Sequence, residues 1–361
     1  VAKLSNVIKA GEEKYGKGTF LKANSAPRDF PRIPTGIFAL DFCIGGGAPV
    51  GSTSSYWGPP SSSKTYIAQK MIIQSNLLCH RCYNYEWDCT CKERSLKLKT
   101  LFIDAEGSFD WSWAEDIGVP EDTDIVYGLT GEEYVDIYHS AIRAEDVGLI
   151  ILDSIADLTP NAEMAGSAED NYVMTQARLV SYMIRKGKTL LMKERKIGHR
   201  VAVLMLNQLR AKPAKFGQPS EEAPGGNASK HDFTLSGRTG RRAVKLIDST
   251  GLPEHTKISV SLGSAASKKK LLVLAGAAEF TVVTSNEHEF RRGTVMDWET
   301  VLSKAIQFDF ISNGSKKKYS YKGTEYTKSD ILSLFRADEK VYYSLQKQII
   351  DKAKSLILNR G

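Results

Sequence analysis

The sequence predicts an α/β fold with a mainly parallel central sheet, and three observations carry that expectation. The stretch Gly58-Pro59-Pro60-Ser61-Ser62-Ser63-Lys64-Thr65 has the frame of a P-loop: a Gly, four residues, a small residue, then Lys and Thr. Residues 66–78 repeat Ile67, Met71, Gln74 and Leu78 at helical spacing, so a helix follows the loop, as the motif requires. Three apolar runs, 100–104, 149–153 and 201–206, then read as buried parallel strands. In an open α/β sheet ligands bind beyond the carboxyl ends of such strands. The residues there are Asp104-Ala105-Glu106, Asp153-Ser154 and Asn207-Gln208.

With 361 residues the chain accommodates one large α/β unit and a smaller one. Its apolar and charged fractions, 42% and 25%, are those of a soluble globular protein. The longest apolar stretch, 271–283, contains Glu279 and is too short to span a bilayer. The N-terminal stretch lacks an apolar signal core, so the reading is a cytosolic chain. A formal net charge of +7 leans towards a polyanionic partner.

In chain order, residues 4–15 place Leu4, Val7, Ile8 and Tyr15 on one helical face, ended by Gly16-Lys17-Gly18. This is either a cap on the main unit or an arm that docks on a neighbouring copy. A Pro-rich linker from Pro27 to Pro34 follows. Residues 35–42 read as a short helix, and Gly45-Gly46-Gly47 turns the chain into Ser54-Ser55-Tyr56-Trp57, an unusually polar strand for a buried position. Cys79, Cys82, Cys89 and Cys91 then interrupt the fold, and they are four of the five cysteines. Thiolates this close suit one tetrahedral Zn²⁺ with no ligand position left open, hence a structural site. The alternative is four reduced cysteines in a loop. His80, Arg81, Tyr83, Tyr85, Trp87, Lys92 and Arg94 around them either touch nucleic acid or pack a mini-domain.

A long helix is expected over 173–196, carrying Arg178, Arg185 and Lys186. Residues 165–171 and 211–226 read as loops, the second long and rich in Pro and Gly. Residues 243–247 and 257–262 alternate as a hairpin or meander. From about Ser285 the character changes to a smaller unit: a helical segment at 297–308, a basic strand-like piece at 316–322 and one long helix at 331–358. Tyr319 and Tyr321 beside the lysines make a nucleic-acid surface comparable with a merely solvated face.

At the P-loop, backbone N–H groups of Gly58, Ser61, Ser62 and Ser63 would cradle phosphates, Lys64 would reach the β/γ phosphates and Thr65 would hold Mg²⁺. Ser63 stands where the motif has Gly. Glu106 is a candidate to orient or deprotonate an attacking water. Asp153 ends a Walker B pattern and would hold Mg²⁺. The amide at Gln208 can sense the γ phosphate.

The chain resembles the bacterial and phage RecA-type recombinases, collinearly over nearly its whole length. The residues that carry the resemblance are Lys14-Tyr15-Gly16-Lys17-Gly18, Pro34-Thr35-Gly36, the P-loop, Phe102-Ile103-Asp104-Ala105-Glu106, Thr130-Gly131-Glu132, the run from Asp153 to Pro160, and Ala162-Glu163. They continue with Asn207-Gln208-Leu209-Arg210, Phe216-Gly217, Gly225-Gly226-Asn227-Ala228 with Lys230, and Tyr319-Ser320-Tyr321-Lys322-Gly323. The resemblance implies a RecA-like core at 34–284, preceded by a polymerisation arm at 1–33 and followed by a small α+β DNA-capturing domain at 285–361. It implies an ATP- and Mg²⁺-dependent enzyme that forms filaments on single-stranded DNA and exchanges strands with a duplex. Asp110 and Trp113 sit where the family contacts and stacks the adenine. DNA contacts are implied at Gly166, Arg178, Arg185, Arg210, Lys212, Phe216, Gly225, Gly226, Asn227 and Lys230.

Four departures stand out. Pro60 and Ser63 replace the family's Glu and Gly, which bears on hydrolysis rate. The cysteine insertion is not a general family feature. The lysine pair that reaches the neighbouring subunit's ATP has three candidates, Lys268, Lys269 and Lys270. An acidic tail is not found after Leu358. Together they suggest a phage or otherwise divergent member in a bacterial cytoplasm. Two other readings use the same core: a DNA-coating protein that does not hydrolyse ATP, and a ring-forming repair ATPase or helicase.

Overall fold

The computed structural model describes residues 3–22, 30–93, 95–167, 172–215, 218–222, 232–243, 247–249, 253–262, 273–314 and 318–358. Eight strands form the central sheet, in the order Ala277–Val283, His255–Leu262, Leu235–Ala243, Thr53–Gly58, Ala202–Gln208, Val147–Asp153, Lys99–Asp104 and Asp124–Tyr127. From Leu235–Ala243 to Asp124–Tyr127 every pairing is parallel. The two strands at the other edge join by antiparallel pairing.

Both faces of the sheet are covered. Helices Gly131–Ala141 and Val173–Lys196 bury Tyr138, Val180 and Met183 on one face. Helices Phe38–Ile44 and Lys64–Leu77 pack on the other, together with the C-terminal helices. Double coverage explains the continuous apolar runs: Val147–Asp153 is buried at every position.

The polar strand Thr53–Gly58 is central, between Leu235–Ala243 and Ala202–Gln208. Its neighbour approaches closely: a Cβ at Gly237 would lie 2.9 Å from the Tyr56 ring, and one at Gly58 would lie 2.4 Å from Thr239 Oγ1. Of the hairpin expected from 243–247 and 257–262, residues 244–246 lie outside the described residues, while Ala243 pairs with Thr256, Ile247 bridges Pro253 and His255–Leu262 is a strand. The strand that reaches Ala243 begins at Leu235 and is built from Ser236, Gly237, Thr239 and Gly240, with almost no apolar alternation to betray it.

Three other expectations change. The loop expected from Ala211 contains an antiparallel pair, Arg210–Lys215 with Gln218–Glu222. Its register sets Arg210 opposite Glu222. The single C-terminal helix is two, Lys328–Ala337 and Glu339–Leu358, because Asp338 leaves helical geometry and its carboxylate accepts from the Val341 N–H at 3.0 Å. The basic strand-like piece is the short strand Tyr319–Tyr321, in which Tyr321 is buried and Tyr319 packs against the same core. Tyr321 is thus a core residue and Tyr319 is half-buried, while Lys316 and Lys317 lie outside the described residues.

The N-terminal helix Leu4–Tyr15 buries none of its residues, and Leu4, Val7 and Tyr15 are exposed. Among the described residues no helix is long and apolar enough to cross a membrane.

Candidate functional site

Parallel register brings the strand ends together. Gly58 lies opposite Gln208, and Asp104 lies opposite Asp153. The loop after Gly58 enters helix Lys64–Leu77 at Lys64. Ser61 and Ser63 both sit in the left-handed region, with φ of 57° and 66°. The P-loop backbone shape is therefore kept without glycine at position 63, at a cost of about 1–2 kcal/mol for each such residue. Gly58 has no freedom to be larger: a Cβ there would lie 2.4 Å from Thr239 Oγ1. Ser62 Oγ and Thr239 Oγ1 share a hydrogen bond of 2.6 Å, which ties the loop to the neighbouring strand.

Lys64 is nearly buried and donates to the carbonyls of Pro59 (2.9 Å) and Gly58 (3.3 Å). Burial lowers its pKa, while Asp153, Glu106 and Asp157 oppose that shift. Thr65 Oγ1 donates to Asp153 Oδ2 at 2.6 Å. Burial pushes the Asp153 carboxyl up to about 7, against the Thr65 hydrogen bond and with added repulsion from Glu106. Its other oxygen, Oδ1, is buried with no hydrogen-bond partner among the described residues. The Thr65 hydroxyl and the two oxygens of the Asp153 carboxylate, one of them orphaned, form a hard oxygen set, and that set fits Mg²⁺.

Glu106 is exposed, and its N–H donates to the Asp153 carbonyl at 3.0 Å. The loop beneath it is held by Asp104, whose carboxylate accepts from the N–H groups of Gly107, Ser108 and Phe109. Gln208 is half-buried, and the next peptide N–H, at Leu209, donates to the Gly58 carbonyl at 3.1 Å. Gly58 O thus accepts from both Lys64 and the chain that leads into the 210–222 hairpin.

Ser61, Ser62, Ser63, Lys64, Thr65, Glu106 and Gln208 line a cleft of about 680 Å³, together with Asp110, Trp113, Arg241 and Arg292. Asp110 caps helix Trp111–Ile117 by accepting from the Trp113 N–H at 3.1 Å. Trp113 is not a bare platform. The Arg292 guanidinium lies 4.6 Å from its ring centre, and Tyr66 packs against it at 6.0 Å. Arg292 also pairs with Asp116 at 3.3 Å. Thr239, Arg241 and Arg292 escaped the sequence reading, as did the role of Asp104 as the anchor of its loop. Asp104 had a signal, an Asp at a strand end three residues before Gly107. The other three enter only through tertiary placement.

Of the residues expected at DNA, Arg178 and Arg185 are exposed two turns apart on one helix, with exposed Tyr182 between them. Gly166 follows helix Asn161–Ala165 and is exposed. Arg210 and Lys212 lie on the first strand of the hairpin. Phe216, Gly225, Gly226, Asn227 and Lys230 lie outside the described residues, as do Lys268, Lys269 and Lys270.

The four cysteines converge. Cys79 and Cys91 Sγ are 3.9 Å apart, Cys82 and Cys89 Sγ are 3.7 Å apart, and all four sulfurs lie within 4.8 Å of one another. Zinc at about 2.3 Å from each sulfur would set them about 3.8 Å apart, so the arrangement fits a tetrahedral ion. The surrounding rings pack inward: His80, Tyr83 and Tyr85 are buried. His80 Nδ1 accepts from the Leu98 N–H, so its Nε2 donates to Ser75 Oγ. Arg94 lies outside the described residues, and Arg81 pairs with Glu93.

A sequence model of the RecA N-terminal domain matches residues 87–273. That match begins after the P-loop. Protein RecA of Herpetosiphon aurantiacus is 32% identical over 293 residues, 79% of this chain and 72% of that protein. Protein RecA of Campylobacter lari is 29% identical over 362 aligned residues, covering 99% and 92%. The mitochondrial DNA repair protein recA homolog 3 of Arabidopsis thaliana is 30% identical, covering 94% and 72%. Similarity of this extent, on a sheet whose ends assemble a P-loop, a Walker B acid and Gln208, makes the chain a member of the RecA family.

Proposed function

We propose that this chain is an ATP-dependent recombinase that forms filaments on single-stranded DNA and carries out homologous pairing and strand exchange with duplex DNA. The observation that carries the reading is the shared acceptor at Gly58, which joins Lys64 of the phosphate loop to Leu209 at the root of the 210–222 hairpin. ATP would draw the Lys64 ammonium off the two loop carbonyls, leaving Gly58 O to the Leu209 N–H alone. Gln208, beside that peptide, would turn towards the terminal phosphate. Nucleotide state would then be felt where the hairpin begins, a coupling between two ligand sites.

For hydrolysis, Glu106 orients the attacking water, and Lys64 with the loop N–H groups binds the phosphates. Thr65 and Asp153 would hold Mg²⁺, which supplies charge neutralisation on the phosphates. Asp110 and Trp113, with Arg292, form the wall against which the base would rest. Arg178, Arg185, Arg210 and Lys212 supply repeated, sequence-independent phosphate contacts. Gly166, Phe216, Gly225, Gly226, Asn227 and Lys230 belong to the two loops at the same DNA. The exposed apolar face of helix 4–15 would pack on the next subunit of the filament, which makes 1–33 an arm, 34–284 the core and 285–361 a DNA-capturing unit. Cys79, Cys82, Cys89 and Cys91 would hold one structural Zn²⁺. Phosphate release measured with and without single-stranded DNA tests the reading; no stimulated turnover at saturating ATP would refute it.

A further inference from the structure

We infer that the cysteine knuckle is a zinc-dependent clip that fastens the C-terminal helix Glu339–Leu358 to the far end of the phosphate-loop helix. The inference rests on the reading that the four thiolates hold zinc, and adds what the knuckle grips.

Between the two cysteine pairs, residues 86–88 form a single turn, closed where the Cys89 N–H donates to the Glu86 carbonyl at 3.2 Å. Its neighbour Tyr85 and its central residue Trp87 make a flat stack, with ring centres 4.9 Å apart and planes 3° apart. Tyr343 of the C-terminal helix adds a third layer, 5.5 Å from Tyr85. Hydrogen bonds fix the stack at both ends. Trp87 Nε1 donates to Ser344 Oγ at 2.9 Å, and Ser344 Oγ donates to Asp88 Oδ2 at 2.5 Å. The Tyr85 hydroxyl donates to Gln74 Oε1 at 2.8 Å, and Gln74 lies in the last turn but one of the phosphate-loop helix. The phosphate-loop helix, the knuckle that follows it and the distant C-terminal helix meet at one residue, Tyr85, which is 2% exposed.

From Cys79 to Cys91 the knuckle has one short turn and no strand of its own, and its buried rings, Tyr83 and Tyr85, pack into the main core, so the segment around Cys89 and Cys91 has few contacts of its own to offset the ordering of its backbone. A metal crosslink supplies that ordering, and a small metal-bound unit folds with its ion. Cys89 follows directly on the turn that presents Trp87 and Asp88, so freeing the thiolates frees the stack. A small cavity of about 160 Å³ lies at the same junction, lined by Cys82, Tyr83, Tyr85, Lys347 and Lys354 among others.

Hydrogen exchange followed by mass spectrometry on the full chain tests this, with zinc content measured on the same sample. With about one zinc per chain, amides of 339–358 exchange slowly. After chelation their exchange rises at least about tenfold together with that of 79–91, while the strand at 147–153 stays protected. Trp87→Ala keeps all four ligands; it should retain zinc and still expose 339–358. Loosening of 79–91 alone on chelation, or a zinc-loaded Trp87→Ala with wild-type protection, overturns the clip and leaves the metal reading intact. Protein purified without chelator and found free of zinc overturns both.

Discussion

The helix Lys64–Leu77, about 21 Å long at 1.5 Å per residue, has two ends built on opposite principles. Its N-terminus carries the phosphate loop, open to a cleft, held in left-handed serine geometry and lined by groups whose partners are placeholders: Lys64 on loop carbonyls and Asp153 on Thr65. Its C-terminus carries the cysteine knuckle, where Tyr85 is buried, stacked on Trp87 and hydrogen-bonded to Gln74. One end stores replaceable interactions because a ligand must displace them. The other spends its polar groups on fixed contacts because its task is attachment. The difference shows that the insertion is part of the fold and not an ornament on it.

The largest effect should come from emptying the open end. Lys64→Ala should lower ATP turnover about a thousandfold, as loss of a preorganised charge on a reacting phosphate does. Exchange protection of 339–358 should not change; if it does, the two ends are not separable.

A buried carboxylate near the middle of the helix gives the next. Asp297 accepts from the Phe38 N–H at 2.8 Å and from the Tyr342 hydroxyl, yet burial raises it from 3.8 to about 6. A folded-state value above the unfolded one stabilises fully below the unfolded value, and that stability is lost as pH rises through the folded value. Wild type should therefore lose about 3 kcal/mol from this group between about pH 4 and pH 7. The stability gap between wild type and Asp297→Asn should shrink over that window. Denaturant curves in which the gap stays constant would remove Asp297 from the account.

At the closed end, Trp87→Ala should cost about 2 kcal/mol, below the full value for a core aromatic because the ring is half-buried. ATP turnover should remain near wild type, and a collapse of turnover would mean the clip steers the site. Arg292→Ala should raise the KM for ATP about tenfold with kcat little changed, consistent with about 1.4 kcal/mol of stacking and charge at the Trp113 wall. An unaltered KM would leave Arg292 as packing only. Smallest of all, Ser63→Gly should stabilise the protein by about 1 kcal/mol, since glycine adopts φ of 66° without a Cβ penalty. A thermal midpoint that falls would show the serine side chain is needed.

What the chain's residues reveal unaided is whatever depends on local periodicity and covalent neighbours. Buried parallel strands are apolar at every position, so Val147–Asp153 was legible. The P-loop frame and the helix 173–196 were legible from local pattern, and the convergence of four cysteines from their closeness in sequence. The strand Leu235–Ala243 was not, since its neighbours demand small and polar side chains and erase the alternation. Nor was the break at Asp338, where one carboxylate decides between one helix and two.

Only the tertiary structure could decide which surfaces meet. Thr239 reaches Ser62 across 177 positions, Arg292 covers Trp113, and Ser344 binds Trp87 across 257. No pattern in the sequence encodes such pairs, because their partners are chosen by the order of strands in the sheet and by the packing of helices against it. The residues specify the pieces and their chemistry; the sheet, by bringing Gly58, Asp104, Asp153 and Gln208 to one edge, turns them into a site.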